Sequence, residues 1–180
     1  RGVQDVFIAS VDGLSGFEQA LHAVFPQTEV QRCIVHQIRQ STKYVTQKDR
    51  KDFCSDLQGI YRAPTRESAE TALLTLGDRW GDRYALAVRS WENNWEGLAT
   101  MFAYTDEIRR LIYTTNPIEA YNRQLRKATK TKGAFPTPDA VRKSFWLAHR
   151  SIADNWNRPL HNWELILNQL AIRFDDRFPL

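Results

Sequence analysis

The chain has 180 residues, 42% of them hydrophobic and 26% charged, with a formal net charge of +4 and a mean hydropathy of −0.52. This composition supports a packed core and excludes a fibrous, low-complexity or disordered chain, and no apolar run approaches the 18 residues a membrane span needs. Two cysteines, Cys33 and Cys54, make no disulfide framework and point to a reducing, cytosolic setting.

In chain order, "DVFIASVD" (residues 5–12) is short, apolar and β-branched and runs into Asp12-Gly13, the pattern of a buried strand ending in a turn. "SGFE" then places Ser15 as an N-cap with Glu18 three positions on, a capping box. Phe17, Ala20, Leu21 and Val24 follow at helical spacing, and Pro26 ends the element. "TEVQRCIVH" (residues 28–36) predicts a second strand. Strand, helix and strand within about thirty residues imply a parallel pair in an α/β sheet. Sites in such sheets lie beyond the carboxyl ends of the strands, where Asp12 falls.

From Thr46 to Tyr113 the spacing is helical. Thr65 predicts a cap for a helix carrying Ala69, Ala72, Leu73 and Leu76. Gly77 and Gly81 predict a break, and Trp91, Trp95, Leu98 and Phe102 predict one apolar face, with the tryptophans in the core. Three more helices finish the chain. Asn116 and Pro117 predict the start of the first. Thr137-Pro138-Asp139 starts the second, with Val141, Phe145, Ala148 and Ile152 inward. Trp163, Ile166, Leu167, Leu170 and Phe174 form the stripe of the third.

Charge is unevenly placed. Residues 119–150 hold eight Lys/Arg and two Asp/Glu, while the rest holds 17 basic and 19 acidic residues. All of the excess positive charge lies in one stretch, the footprint of a polyanion partner or of a solvated basic face. On a helical wheel with Glu119 at zero, Arg126, Lys130 and Arg123 fall within about 40° of it, with Ile118, Tyr121, Leu125 and Ala128 opposite, packing inward. Glu119 at the third helical position suits the first turn, and Glu119–Arg123 is a favourable i,i+4 pair. The same geometry suits a hard oxygen ligand for Mg²⁺ followed by cations that hold a phosphodiester backbone. Geometry alone leaves both readings open. Cys33 and His36 make a C-x-x-H spacing without a matching second pair. Cys54 and the histidines at 22, 149 and 161 lack ligand-like spacing, so a structural role near the strand end is expected.

The stretches "RGVQDVFIASVDGLSGF", "VQRCIVHQIR", "IRRLIYTTNPIEAYNRQLRKATKTKGAFP" and "WELILNQLAIRFDDRF" resemble Mutator-type bacterial insertion-sequence transposases, members of the DDE superfamily with an RNase H-like catalytic fold. The resemblance covers essentially the whole chain. It implies an α/β, mainly helical fold: residues 1–45 as two parallel strands of a partial RNase H-like core, 46–113 as an all-helical insertion, and 114–180 as helices completing the core. It implies that Asp12 and Glu119 are catalytic metal ligands. Cys33 and His36 match the C-x-x-H signature, and Asn122 and Arg126 match positions after the Glu. Arg123, Arg126, Lys127, Lys130 and Lys132 would bind DNA phosphates. The implied cofactor is Mg²⁺, two ions, with Mn²⁺ an alternative. The implied partners are double-stranded DNA (terminal inverted repeats and target) and further copies of the chain, with no membrane. The implied place is the bacterial cytoplasm, on the nucleoid. The first catalytic Asp is expected upstream of Asp12. Asp5, on the same strand, does not fill that role, so the chain is expected to be the C-terminal part of a longer transposase. A non-catalytic DNA-binding or dimerisation fragment is the alternative.

Overall fold

The computed structural model describes residues 2–114, 117–130, 132–153 and 160–178. These fall into two compact units, residues 1–114 with 168–180, and residues 115–167. The described residues are mainly helical, with two parallel strands.

In the first unit, β1 (Ile8–Val11) pairs in parallel with β2 (Glu29–Arg32), in register from Ile8 opposite Glu29 to Val11 opposite Arg32. α1 (Phe17–Val24) makes the crossover. The parallel pair agrees with the sequence; four details do not. β1 is half-buried, not buried, with Ser10 exposed. The α1 N-cap is Gly16, at φ 79°, with no side-chain cap from Ser15. Phe17 and Val24 stay exposed, because two strands offer a crossover helix little surface to cover. The second strand also stops at Arg32, and α2 (Ile34–Thr42) takes up residues expected to be extended.

The helical block supplies the core. α3 (Arg50–Tyr61) packs on α4 (Arg66–Asn93) through Phe53, Leu57, Ile60, Leu73 and Leu76, all buried. Each such side chain contributes about 1.5–3 kcal/mol on burial. Phe53 meets Trp80 edge-on at 5.8 Å. The polar ends are matched: Trp80 Nε1 donates to Asp56 at 2.7 Å, and Tyr84 Oη to Asp49 at 2.6 Å. The Tyr84 hydroxyl, ahead of the Arg83 guanidinium, holds Asp49 below its ordinary carboxyl value. Thr65 caps α4 in a reciprocal pair with Ser68, as expected. The break falls at Tyr84 (φ −130°, ψ 46°), not at Gly77 or Gly81, which both stay inside α4. Trp91 is fully buried and donates to Ser41 Oγ at 2.8 Å, tying α4 to α2. Trp80 and Trp91 are thus core residues, and Leu98 in α5 (Trp95–Ala99) is buried beside them in sequence. A 3-10 turn (Thr100–Ala103) and α6 (Asp106–Tyr113) follow.

The chain's last described residues close this unit. Phe7 lies between the rings of Phe174 (4.8 Å) and Phe178 (5.8 Å). Arg177 grips the Asp5 carboxylate at 2.8 and 2.7 Å and the carbonyls of Gln27 and Val6. Arg173 pairs with Glu29 at 3.0 Å. The hydrogen bond from Arg177 is the main cause holding the Asp5 carboxyl below its usual range.

In the second unit, α7 (Pro117–Lys130) packs against α8 (Pro138–Ala153), with Tyr121 Oη 3.0 Å from His149 Nδ1. Pro117 opens α7; the expected cap Asn116 lies outside the described residues. Thr137 Oγ1 accepts the Ala140 N–H, starting α8 as expected. Ile152 is buried and Val141 and Ala148 are half-buried, but Phe145 is exposed. α9 (Trp163–Arg173) buries Ile166 while Trp163 stays exposed. Among the described residues, no helix is long and apolar enough to cross a membrane.

Candidate functional site

The strand pair positions one candidate carboxylate. Its ladder ends at Val11 and Arg32, so Asp12 is the first residue beyond the carboxyl end of β1. The turn after it needs positive φ at Gly13 (81°) and Gly16 (79°), a conformation glycine adopts without strain. Asp12 is exposed. Its carboxylate accepts only a long contact from the Leu14 N–H, at 3.4 Å, and makes no ion pair with a described residue.

Cys33 continues β2 by one bond, donating its N–H to Val11 O at 2.7 Å, while its own carbonyl accepts the Gln37 N–H of α2. The C-x-x-H residues therefore sit at the junction where β2 becomes α2, with Cys33 buried and His36 half-buried in the first turn. Among the described residues, no three His, Cys, Asp or Glu side chains gather as a metal site. His22 and His149 are engaged elsewhere, with Thr28 O and with Tyr121.

A cleft of about 510 Å³ opens at the same end of the sheet, between the Gly13–Gln19 segment, Arg32 and Gly97. Gln31, 1% exposed, lies behind its wall and ties the lining residues Arg32, Gly97 and Thr100 together. Its amide nitrogen reaches the carbonyls of Arg32, Gly97 and Leu98 at 2.7–3.1 Å, and its oxygen accepts the Thr100 hydroxyl at 2.9 Å. The sequence reading missed Gln31, Arg32 and Gly97. The available signal was a Gln-Arg pair inside a predicted strand, where a buried polar side chain must find partners.

The other candidate carboxylate lies on α7, in the second unit. Glu119 is in the first turn and half-buried. Asn122, Arg123, Arg126, Lys127 and Lys130 are exposed. The four cations make no ion pair with a described residue, so the expected Glu119–Arg123 pair is not formed. Lys132 differs: its ammonium donates to Ser144 Oγ at 3.0 Å and lies 5.9 Å from the Phe135 ring centre. On the opposite face, Tyr121 and Leu125 are half-buried, but Ile118 and Ala128 are exposed, so that face packs less than the wheel implies.

One unit thus carries a strand-end carboxylate, and the other a helix with one acid ahead of a cationic stripe. The family model described as "Transposase, Mutator family" matches residues 1–159, and the chain belongs to that family. It is 44% identical, over 179 residues, to the "Transposase for insertion sequence element ISRM3" of Rhizobium meliloti (strain 1021), covering 99% of this chain and 45% of that protein. It is 37% identical over 198 residues to a "Probable transposase for insertion sequence element" of Corynebacterium diphtheriae, covering 99% and 58%. With the "Transposase for insertion sequence element IS905" of Lactococcus lactis subsp. lactis (strain IL1403) the identity is 32% over 143 residues, covering 79% and 36%. The chain spans about half the length of these curated relatives.

Proposed function

We propose that the chain is part of the catalytic region of an insertion-sequence transposase of DDE type, with an RNase H-like core, that cleaves and rejoins double-stranded DNA at transposon ends by phosphoryl transfer. The observation that carries the reading is the α7 stripe: four exposed cations behind Glu119 that pair with no acid among the described residues, on a chain of the transposase family. Phosphate contacts of this kind fix the register of a duplex without reading its sequence.

Asp12 and Glu119 are the residues that would hold Mg²⁺ or Mn²⁺. The donor chemistry fits, since carboxylate oxygen is the preferred ligand of these hard cations and Asp12 is exposed and not ion-paired with a described residue. When bound, the metal would supply Lewis acidity to the reacting phosphate and make an oxygen nucleophile available at neutral pH. The chain's own residues do the rest: α7 cations hold the backbone, and the Asp12 turn presents its carboxylate beside the cleft. The reading puts the protein on chromosomal DNA in the bacterial cytoplasm, acting as a dimer or higher oligomer.

The test is Glu119→Gln in the intact transposase. Metal-dependent cleavage of the element's end is lost while duplex binding survives; retained cleavage would sink the assignment. A second reading applies to the chain taken alone. It offers two carboxylates for a centre that calls for three, which favours binding without cutting. Gel shifts of the isolated chain at several salt concentrations, with cleavage scored in the same lanes, separate the two readings.

A further inference from the structure

We infer that Arg32 is an anion site within this centre, holding a phosphodiester oxygen of the DNA strand that enters the cleft beside Asp12. The inference rests on the transposase reading and adds a contact to it.

Arg32 is the last residue of β2 and stands opposite Val11, one residue before Asp12. Its side chain is confined by two glycines distant in sequence. A Cβ at Gly13 would lie 2.5 Å from Arg32 Nη2 and 2.6 Å from Cζ, so the guanidinium lies directly over the Gly13 backbone. A Cβ at Gly97 would lie 3.4 Å from Arg32 Cβ, so the stem runs along that backbone. Gln31 holds Gly97 in place through its carbonyl, which fixes the far wall. The head is therefore positioned without being neutralised. The Arg32 guanidinium makes no hydrogen bond or ion pair with a described residue, unlike Arg173 and Arg177 in the same unit, which each pair with a carboxylate.

Glu18 also lines the cleft and Asp12 borders it, yet neither pairs with Arg32. The N-terminal turn of α1 opens onto the same space: Glu18 and Gln19 line it, and no side chain caps the helix there. A guanidinium fork with free donors matches the two terminal oxygens of a phosphodiester. The Arg32 charge and the N-terminal turn of α1 attract an anion here, against the Glu18 and Asp12 carboxylates.

The experiment uses the full-length transposase and a duplex carrying the terminal repeat, with Arg32→Gln, Arg32→Lys and, as a control, Asp12→Asn. Binding is read as the slope of log Kobs against log salt, and cleavage as a single-turnover rate. Loss of one phosphate contact lowers the slope by about 0.9 in Arg32→Gln, and a misplaced phosphate slows cleavage by roughly 100-fold. Arg32→Lys keeps the charge and the slope but lacks the fork, and cuts more slowly than the parent. Single methylphosphonate substitutions give an independent reading on the parent protein. One position near the cut bond weakens parent binding and has no further effect in Arg32→Gln. Unchanged slope and rate in Arg32→Gln, with Asp12→Asn inactive, overturns the anion site and leaves the transposase reading standing. Full activity of Asp12→Asn overturns that reading itself. If Arg32→Gln fails to fold, Arg32→Lys and the parent methylphosphonate scan decide, and a scan without a sensitive position near the cut overturns the proposal.

Discussion

Replacing Gln31 by Leu removes the polar clamp behind the cleft while nearly conserving volume. The amide has two hydrogens shared among three carbonyls, and its oxygen accepts one hydroxyl, so three bonds' worth of hydrogen is lost. The site is 1% exposed, and water cannot replace them. At about 1 kcal/mol net per bond the loss is about 3 kcal/mol, offset slightly by the added apolar surface. For a chain of this length that lowers Tm by roughly 6–12 °C. Thermal unfolding followed by circular dichroism reads it, with Thr100→Val as a partner in a double-mutant cycle. The Thr100 hydroxyl retains the Gly97 carbonyl at 2.8 Å, so the coupling measures the Gln31 bond and not an orphaned hydroxyl. Gln31→Glu is nearly isosteric and costs more at pH 7, because a carboxylate then faces the three carbonyls. A shift below 2 °C for Gln31→Leu would refute the clamp as the element that fixes Gly97.

Two further outcomes are expected. Asp49 and Asp5 both titrate below the ordinary range, so their bonds to Tyr84 and Arg177 stabilise the fold above the unfolded carboxyl value near 4 and are lost as pH falls through the folded values. Asp49→Asn should flatten the acid limb of a pH–stability curve below roughly pH 4, read by urea unfolding at stepped pH. On α7, Arg126→Ala and Lys130→Ala should each lower the salt slope of duplex binding by about 0.9, with Lys132→Ala smaller because its ammonium already serves Ser144.

The strand–crossover–strand unit was legible because β-branched runs flanked by turn residues leave little choice of element. The end of β2 was not. "CIVH" is as apolar as a strand, and only the bond from Gln37 N to Cys33 O reveals that the chain has begun to coil. The α1 cap was misread by one residue, since Gly16 takes the left-handed position that a capping box would deny it. Thr65 was legible because its partner Ser68 is local. The cleft was not, because Gly97 meets Arg32 across 65 positions and nothing in either segment names the other. On α7 the wheel placed the charges correctly but assumed a covered opposite face, which Ile118 at 66% exposure contradicts.

The clasp of Arg177 on Asp5 joins residues 172 positions apart, and Phe174 and Phe178 close on Phe7 over nearly the same span. On a ribosome, the α3–α4 pair emerges and can pack long before these partners exist. Meanwhile β1 and β2 wait with their lower end open. Completion of the strand layer therefore waits for residues 173–178 rather than for its own synthesis, and closing so long a loop slows it.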